Sequence, residues 1–342
     1  PKRFIKQIPE SILSDPALNA AIALLPAAYD FEIHKTVARL RSSGARRAAL
    51  QLPDGLLMFS LPLADILLGS VLADPTYGAC CLDDFAASAL SADLLLHYGH
   101  SCLVPVPSSL LPVLYIFVDI KIDVPRLVSS IKSNLALAGT VQFISAVHAA
   151  KSSLVVVPQA KPLSPGEVLG CTAPTIVVFV ADGRFHLEAF MIANPGIKAF
   201  RYDPFLGVLV LEQYDYEGMK RARREAILAA RKARNWGVIL GTLGRQGNTR
   251  VLDRVMEERG TVVLMSEISP ARMMLFGDSV DAWVQIACPR LSIDWGEGFV
   301  KPLLTTFELE IALGLIPGWW EDYPMDYYSQ DGGNWNSTYA KK

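Results

Sequence analysis

The stretch IVVFVADGRFHLEAF (residues 176–190) decides the fold class. Ile176 to Val180 are apolar without a polar alternation, and the run stops at Ala181-Asp182-Gly183. A strand apolar on both sides is covered on both sides, which is the situation of a parallel sheet with crossover helices. The spacing predicts a strand over 176–183. Outward from it, similar runs recur in sets of four. One set lies at 48–53, 71–74, 92–99 and 113–120, and a second at 140–145, 154–159, 176–183 and 197–204. A third lies at 236–241, 261–267, 282–287 and 302–308. The expectation is an α/β protein of three pseudo-repeated domains, each a mostly parallel four-stranded sheet flanked by helices. The boundaries fall at 1–121, which includes an N-terminal docking segment, then 122–206 and 207–342. The third domain carries an irregular C-terminal tail, expected to lie on a surface.

Two helices can be placed directly. DFEIHKTVARLRSSG (30–44) offers Asp30 as a cap, Ile33, Val37 and Leu40 on one face, and Gly44 as a stop. DYEGMKRARREAILAARKARNWG (215–237) has a small-residue stripe of Met219, Ala222, Ala226, Ala229 and Ala233. Its Arg/Lys run is read as a solvated helix face, with a partner-binding face as the alternative.

Bulk properties narrow the classes. A chain of 342 residues exceeds one ordinary core, so several domains are expected. Hydrophobic residues at 51% against 19% charged exclude a disordered chain. A formal net charge of −2 gives no global basic field for nucleic acid. The longest apolar runs, SLPLADILLGSVLA (60–73) and NLALAGTVQFISAV (134–147), are too short or too interrupted to span a bilayer. Glu10 and Asp15 break the signal-peptide pattern of the first residues, which read instead as a docking helix. Five cysteines, Cys80, Cys81, Cys102, Cys171 and Cys288, are odd in number and scattered. That is a poor disulfide framework and fits a reducing cytoplasm.

Three of these cysteines keep similar company. Cys80 stands in YGACCLDD, Cys171 in VLGCTAP and Cys288 in IACPRLSIDWG. Each follows a small residue near a strand end, in a different repeat. One such cysteine is ordinarily a small buried hydrophobe. Three equivalent placements point to loops converging on one place, where three thiolates would hold a metal or an iron–sulfur cluster. A cubane normally takes four cysteines, so three would leave one iron open to a substrate. No CxxC spacing is present.

Polar segments accompany the cysteines. VADGRFHLEAF supplies Asp182, Arg184 and His186. GTLGRQGN supplies Thr242, Gly244, Arg245 and Gln246, whose backbone N–H groups and arginine suit an anion. This loop matches neither a P-loop nor GxGxxG. Arg290, beside Cys288, either grips a carboxylate or pairs with Asp294. His97 and His100 in HYGHSC are a weak metal pair; a hydrogen-bonded strand-end histidine is the plainer reading. No nucleophile elbow, HExxH or Ser-His-Asp order appears, and no side chain is assigned as catalytic.

In family order, QIPESILSDPALNAAIALLPAAYDFEIHKT, QLPDGLLMF, YGACCLDDF, HYGHSCLVPV, KPLSPGEVLGCTAP, DGRFHLEAFMIANP, YDPF, GTLGRQGN and ACPRLSIDWG run from about residue 3 to about residue 328. This pattern closely resembles the 2-(3-amino-3-carboxypropyl)histidine synthase family of diphthamide biosynthesis, on its eukaryotic first-subunit branch. The long N-terminal block and the Cys80–Cys81 pair favour that branch. The resemblance implies a 4Fe-4S cluster held centrally by Cys80, Cys171 and Cys288, one from each domain. Cys81 is then a spare. It implies an atypical radical transfer of the 3-amino-3-carboxypropyl group from S-adenosylmethionine to a histidine of translation elongation factor 2. Asp182, Arg184, His186, Thr242, Gly244, Arg245, Gln246 and Arg290 become candidates for holding S-adenosylmethionine. The implied partners are a paralogous subunit 2 in a heterodimer and a small CSL-type zinc-finger iron protein as electron donor. Two readings stand beside it: a non-catalytic scaffold subunit, and a zinc or redox protein of the same fold.

The chain departs from the family at five joins: DILLGSVLADPTYG, VPVPSSLLPVLY, AAKSSLVVVPQ, GCTAPTIVVFV and EERGTVVLM. A parallel crossover takes about a dozen residues, and few separate Cys171 from the run at Ile176. Loop residues that family members carry are expected to be missing there.

Overall fold

The computed structural model describes residues 8–73, 82–99, 109–131, 135–150, 155–156, 165–167, 178–242, 252–253, 255, 260–318 and 323–325. The first unit holds α1 (Glu10–Leu13), α2 (Pro16–Ile22), β1 (Tyr29–Asp30), α3 (Ile33–Ser43), β2 (Ala48–Gln51), α4 (Ser60–Leu67), β3 (Gly69–Val71), α5 (Asp84–Ala89), β4 (Leu94–Tyr98), β5 (Val113–Ile116) and β6 (Asp119–Ile120). The second holds α6 (Val124–Ser130), β7 (Leu135–Gly139), α7 (Ile144–Ala150), β8 (Val155–Val156), β9 (Val178–Val180), α8 (Phe185–Ala193), β10 (Ala199–Asp203) and β11 (Val208–Glu212). The third holds α9 (Tyr216–Ala230), β12 (Trp236–Gly241), β13 (Thr261–Met265), α10 (Pro270–Met274), β14 (Ala282–Ile286), α11 (Arg290–Trp295), β15 (Leu303–Leu304) and α12 (Thr306–Ala312).

Among the described residues the three main sheets share one order of four parallel strands, β3-β2-β4-β5, β8-β7-β9-β10 and β13-β12-β14-β15, to which the second adds an antiparallel edge strand. The central strands β2, β4, β9 and β14 are buried at every position, as unalternated apolar runs require.

The repeat extends to side chains that no apolar pattern encodes. Ahead of β4, Asp93 Oδ2 accepts from the backbone N–H groups of Arg46 at 2.8 Å and Arg47 at 2.9 Å. Ahead of β14, Asp281 Oδ2 accepts from Arg234 and Asn235, both at 2.9 Å. The fourth strand is entered alike, with Leu95 N–H donating to Pro112 O and Trp283 N–H to Pro302 O. Both carboxyls are held below their ordinary 3.8, first by these backbone bonds. A lowered carboxyl stabilises the fold above its unfolded value, and that stability disappears as pH falls through the folded value. An Asp93→Asn/Asp281→Asn protein keeps an acceptor oxygen and loses the titration. Its urea midpoint should therefore fall less steeply than the parent's below pH 4, which a series of unfolding curves from pH 6 to 2 would measure.

Several elements differ from the sequence expectation. The second unit opens with β7 at Leu135–Gly139, not with a strand at 140–145. There the chain is a 3-10 turn leading into α7, because Phe143, Ala146, Val147 and Ala150 are buried at helical spacing. Residues 302–308 form only Leu303–Leu304 before Thr305 caps α12. Thr305 Oγ1 accepts from Glu308 N–H while Glu308 accepts from Thr305 N–H, a reciprocal cap that Thr-x-x-Glu could have announced. Asp30 does not cap α3. It lies in β1, paired with Asp119, and accepts from Glu32 N–H, while Glu32 at φ 49° starts the helix. Gly44, at φ 67°, ends α3 as expected.

Two features redraw the units. β11 pairs antiparallel with β10, so the second sheet has five strands and runs to Glu212 rather than ending at 206. Ala189 and Ile192 of α8 pack in one core with Met219, Ile227, Ala282, Ile293 and Ile311, so the second and third units share apolar contact. Tyr323 and Met325 are buried in that same core, so this part of the C-terminal stretch is interior rather than surface. At the first short join α4 reaches β3 through Leu68 alone, a left-handed residue at φ 51°. All five joins, this one included, lie partly outside the described residues.

Candidate functional site

Ligands of open parallel sheets gather beyond the carboxyl ends of the strands, and the described candidates lie there. Asp182, Gly183 and Arg184 follow β9; Thr242 follows β12; Cys288, Pro289 and Arg290 follow β14. Cys80, Cys81, Cys102, Cys171, His100, Gly244, Arg245 and Gln246 lie outside the described residues.

Cys288 is a half-buried thiol. Its backbone is fixed from its own strand: the buried Gln285 donates from Nε2 to Cys288 O at 2.9 Å and to Ser292 Oγ at 3.1 Å. Leu291 N–H also donates to Cys288 O, opening α11. Gly241 lets the end of β12 come close here, since a Cβ on it would stand 2.8 Å from that of Ala287.

Arg290 takes the second of the two roles left open by the sequence. Nε donates to both Asp294 oxygens at 2.8 and 2.9 Å, Nη1 to Phe185 O at 2.6 Å, and Nη2 to Glu188 Oε2 at 3.0 Å. Its guanidinium lies 4.4 Å from the Phe185 ring centroid and is 2% exposed. Burial raises the Asp294 carboxyl above its ordinary value, against the lowering bond from Arg290.

Arg184 is half exposed and forms ion pairs with Glu212 at 3.1 Å and Glu188 at 3.4 Å. Asp182 is exposed at its edge. Desolvation nevertheless raises its carboxyl, and the charge of Asp203 adds to this. His186 is half-buried, edge-on to Phe185 at 5.2 Å. Thr242 is exposed, its N–H donating to Met265 O.

The first unit offers a counterpart to Gln285 that sequence reading missed. Gln51, buried at the end of β2, accepts through Oε1 from Asp83 N–H at 3.1 Å, just beyond the Cys80–Cys81 pair. That backbone donor identifies Oε1 as the acceptor, so His97 Nδ1, 3.0 Å away, carries the proton. His97 is thus the hydrogen-bonded strand-end histidine of the plainer reading. Among the described residues no three His, Cys, Asp or Glu side chains gather as a metal site. No described helix is long and apolar enough to cross a membrane.

A family model described as "Putative diphthamide synthesis protein" matches residues 52–324. A Gallus gallus protein named "2-(3-amino-3-carboxypropyl)histidine synthase subunit 1" is 50% identical over 372 residues, covering 100% of this chain and 90% of its own length. That span exceeds the 342 residues here, so the relative carries residues this chain lacks. The Schizosaccharomyces pombe protein of the same name is also 50% identical, covering 97% of this chain and 85% of itself. Among solved structures, Dph2 from Pyrococcus horikoshii superposes with a TM-score of 0.70 at 25% identity, over 87% of this chain and 93% of its own. A second structure of that protein, "with 4Fe-4S cluster", gives 0.70 at 24% identity, over 86% and 94%.

Proposed function

Because this chain belongs to the diphthamide synthesis protein family, we propose that it is the cluster-bearing first subunit of a transferase acting on S-adenosylmethionine and translation elongation factor 2. It works in diphthamide biosynthesis as part of a synthase, and the proposal concerns how. The reading is carried by Cys288, a half-buried thiol at a strand's carboxyl end whose backbone is fixed by Gln285. A soft thiolate in that setting suits iron–sulfur ligation, and no described carboxylate–histidine group offers a rival site. Cys80 and Cys171, one in the sequence of each of the other two repeats and both outside the described residues, are the proposed further ligands of a 4Fe-4S cluster.

The group would supply the one electron that breaks the sulfur–Cγ bond of S-adenosylmethionine, giving methylthioadenosine and a 3-amino-3-carboxypropyl radical; the radical would add to a histidine imidazole, and the adduct would give back one electron and lose the displaced ring proton. The chain's own residues bind and orient. Gln285 and Gln51 hold the backbone beside the cysteines. Asp182, Arg184, His186 and Thr242, with Gly244, Arg245 and Gln246, are the proposed contacts to the substrate's amino-carboxylate and adenosine. Arg290 is occupied by protein acceptors. The proposed setting is a cytoplasmic heterodimer with the paralogous second subunit, reduced by a CSL-type zinc-finger iron protein.

The test uses anaerobic protein co-purified with its partner subunit. Iron and sulfide are assayed; then dithionite, S-adenosylmethionine and elongation factor 2 are added. Methylthioadenosine and a modified histidine, appearing together and only with iron present, are expected. Product without iron, or an iron-loaded protein that cleaves no S-adenosylmethionine, overturns the reading.

A further inference from the structure

We propose that Arg290 is a positioning residue that locks the Cys288 segment of the third unit onto α8 of the second, and so fixes where the Cys288 thiol stands against the segment after β9. The inference rests on the cluster reading above. Arg290 is the first residue of α11, immediately beyond Cys288-Pro289. Its guanidinium reaches in two directions at once. Within its own helix it is held by both oxygens of Asp294. Across the unit boundary it holds Phe185 O and Glu188 Oε2, both on α8, and packs against the Phe185 ring. Phe185 in turn opens α8, directly after Asp182-Gly183-Arg184.

One rigid, planar group therefore connects the segment after β14 with the segment after β9. A lysine could keep the charge but not this fork, because an ammonium is a point donor on a flexible stem. The apolar contacts of Ala189 and Ile192 with the third unit keep the units together, but they are non-directional and leave the small shifts that matter to a metal ligand unconstrained. Outer-shell partners of metal ligands typically change metal affinity by about 10–100-fold when removed.

The test compares the reconstituted heterodimer carrying the parent chain, Arg290→Lys, Arg290→Ala or Glu188→Gln. The readings are the rate of iron loss to a chelator and the electron paramagnetic resonance signal of the dithionite-reduced protein, with circular dichroism confirming the fold. Both Arg290 variants should lose iron about 10-fold faster and show a shifted or broadened signal, with Lys failing to rescue Ala. Glu188→Gln, which weakens the cross-unit half of the fork together with the Arg184 pair and leaves the Asp294 and Phe185 contacts, should move both readings the same way by less. Parent-like iron retention and signal in Arg290→Ala overturn the proposal; should that variant not fold, the same result in Glu188→Gln does so. A parent protein that holds no iron overturns the cluster reading itself, which is a separate outcome.

Discussion

Arg223→Ala is expected to destabilise the protein by about 3–5 kcal/mol, the usual result of removing one member of a buried ion pair. Arg223 is 1% exposed in the middle of α9. Nε and Nη2 form a fork onto Glu308, at 2.8 and 2.6 Å. Nη1 donates to Ser292 O and Nη2 to Leu303 O, both at 2.8 Å. Glu308 is itself fully buried, and Tyr323 Oη donates to it at 3.0 Å. Alanine at 223 would leave this carboxylate without its cation in a dry core. Arg223→Met/Glu308→Leu should recover most of the loss, since an apolar pair has no buried charge to compensate. It should still fall short by about 1 kcal/mol, because Glu308 also closes the cap of α12. Unfolding midpoints of the four proteins of the cycle would decide this, and additive losses would refute the coupling. The site should feel the change too. Ser292, whose carbonyl Arg223 holds, also receives Gln285, and Gln285 holds the Cys288 carbonyl.

Loss of the cluster and of product formation is the expected result for Cys80→Ala, Cys171→Ala and Cys288→Ala, each taken singly in the anaerobic heterodimer. Cys81→Ala should keep both. Removing one of three thiolates leaves two ligands for a cubane that ordinarily takes four, so little iron should remain after desalting. Iron, sulfide and the visible absorption of the oxidised protein give the readout. The comparison of neighbours is the demanding one. If Cys81→Ala rather than Cys80→Ala abolished the cluster, the first ligand would be misassigned while the chemistry stood. If all four variants kept it, the three-cysteine site would be wrong.

Much of this was legible in the chain alone. Val178–Val180 and Ala282–Ile286 lie where unalternated apolar runs put them, and the parallel pairing follows from such runs alternating with helical stretches. Asp215 caps α9 and Gly44 ends α3 as their residue types prescribe. The exceptions have local causes. The TVQFIS run is β-branched and apolar, yet its burial has helical spacing into Val147 and Ala150. β11 is an edge strand with Val208, Val210 and Leu211 exposed, so no alternation marked it out.

What the sequence determined by itself is the apolar skeleton, its division into three repeats and the place of Cys288 just beyond a strand. These depend on the spacing of apolar residues and on turn chemistry, which act over a few residues. What only the tertiary structure decided is the role of the arginines. Arg223 looked like one more member of a solvated basic face, and Arg290 like a possible substrate grip. Each is buried because acceptors far along the chain meet it: Glu308 at a separation of 85 residues, and Glu188 and Phe185 at 102 and 105. Burying a charge is favourable only when such partners are already in place, and the assembled fold alone puts them there.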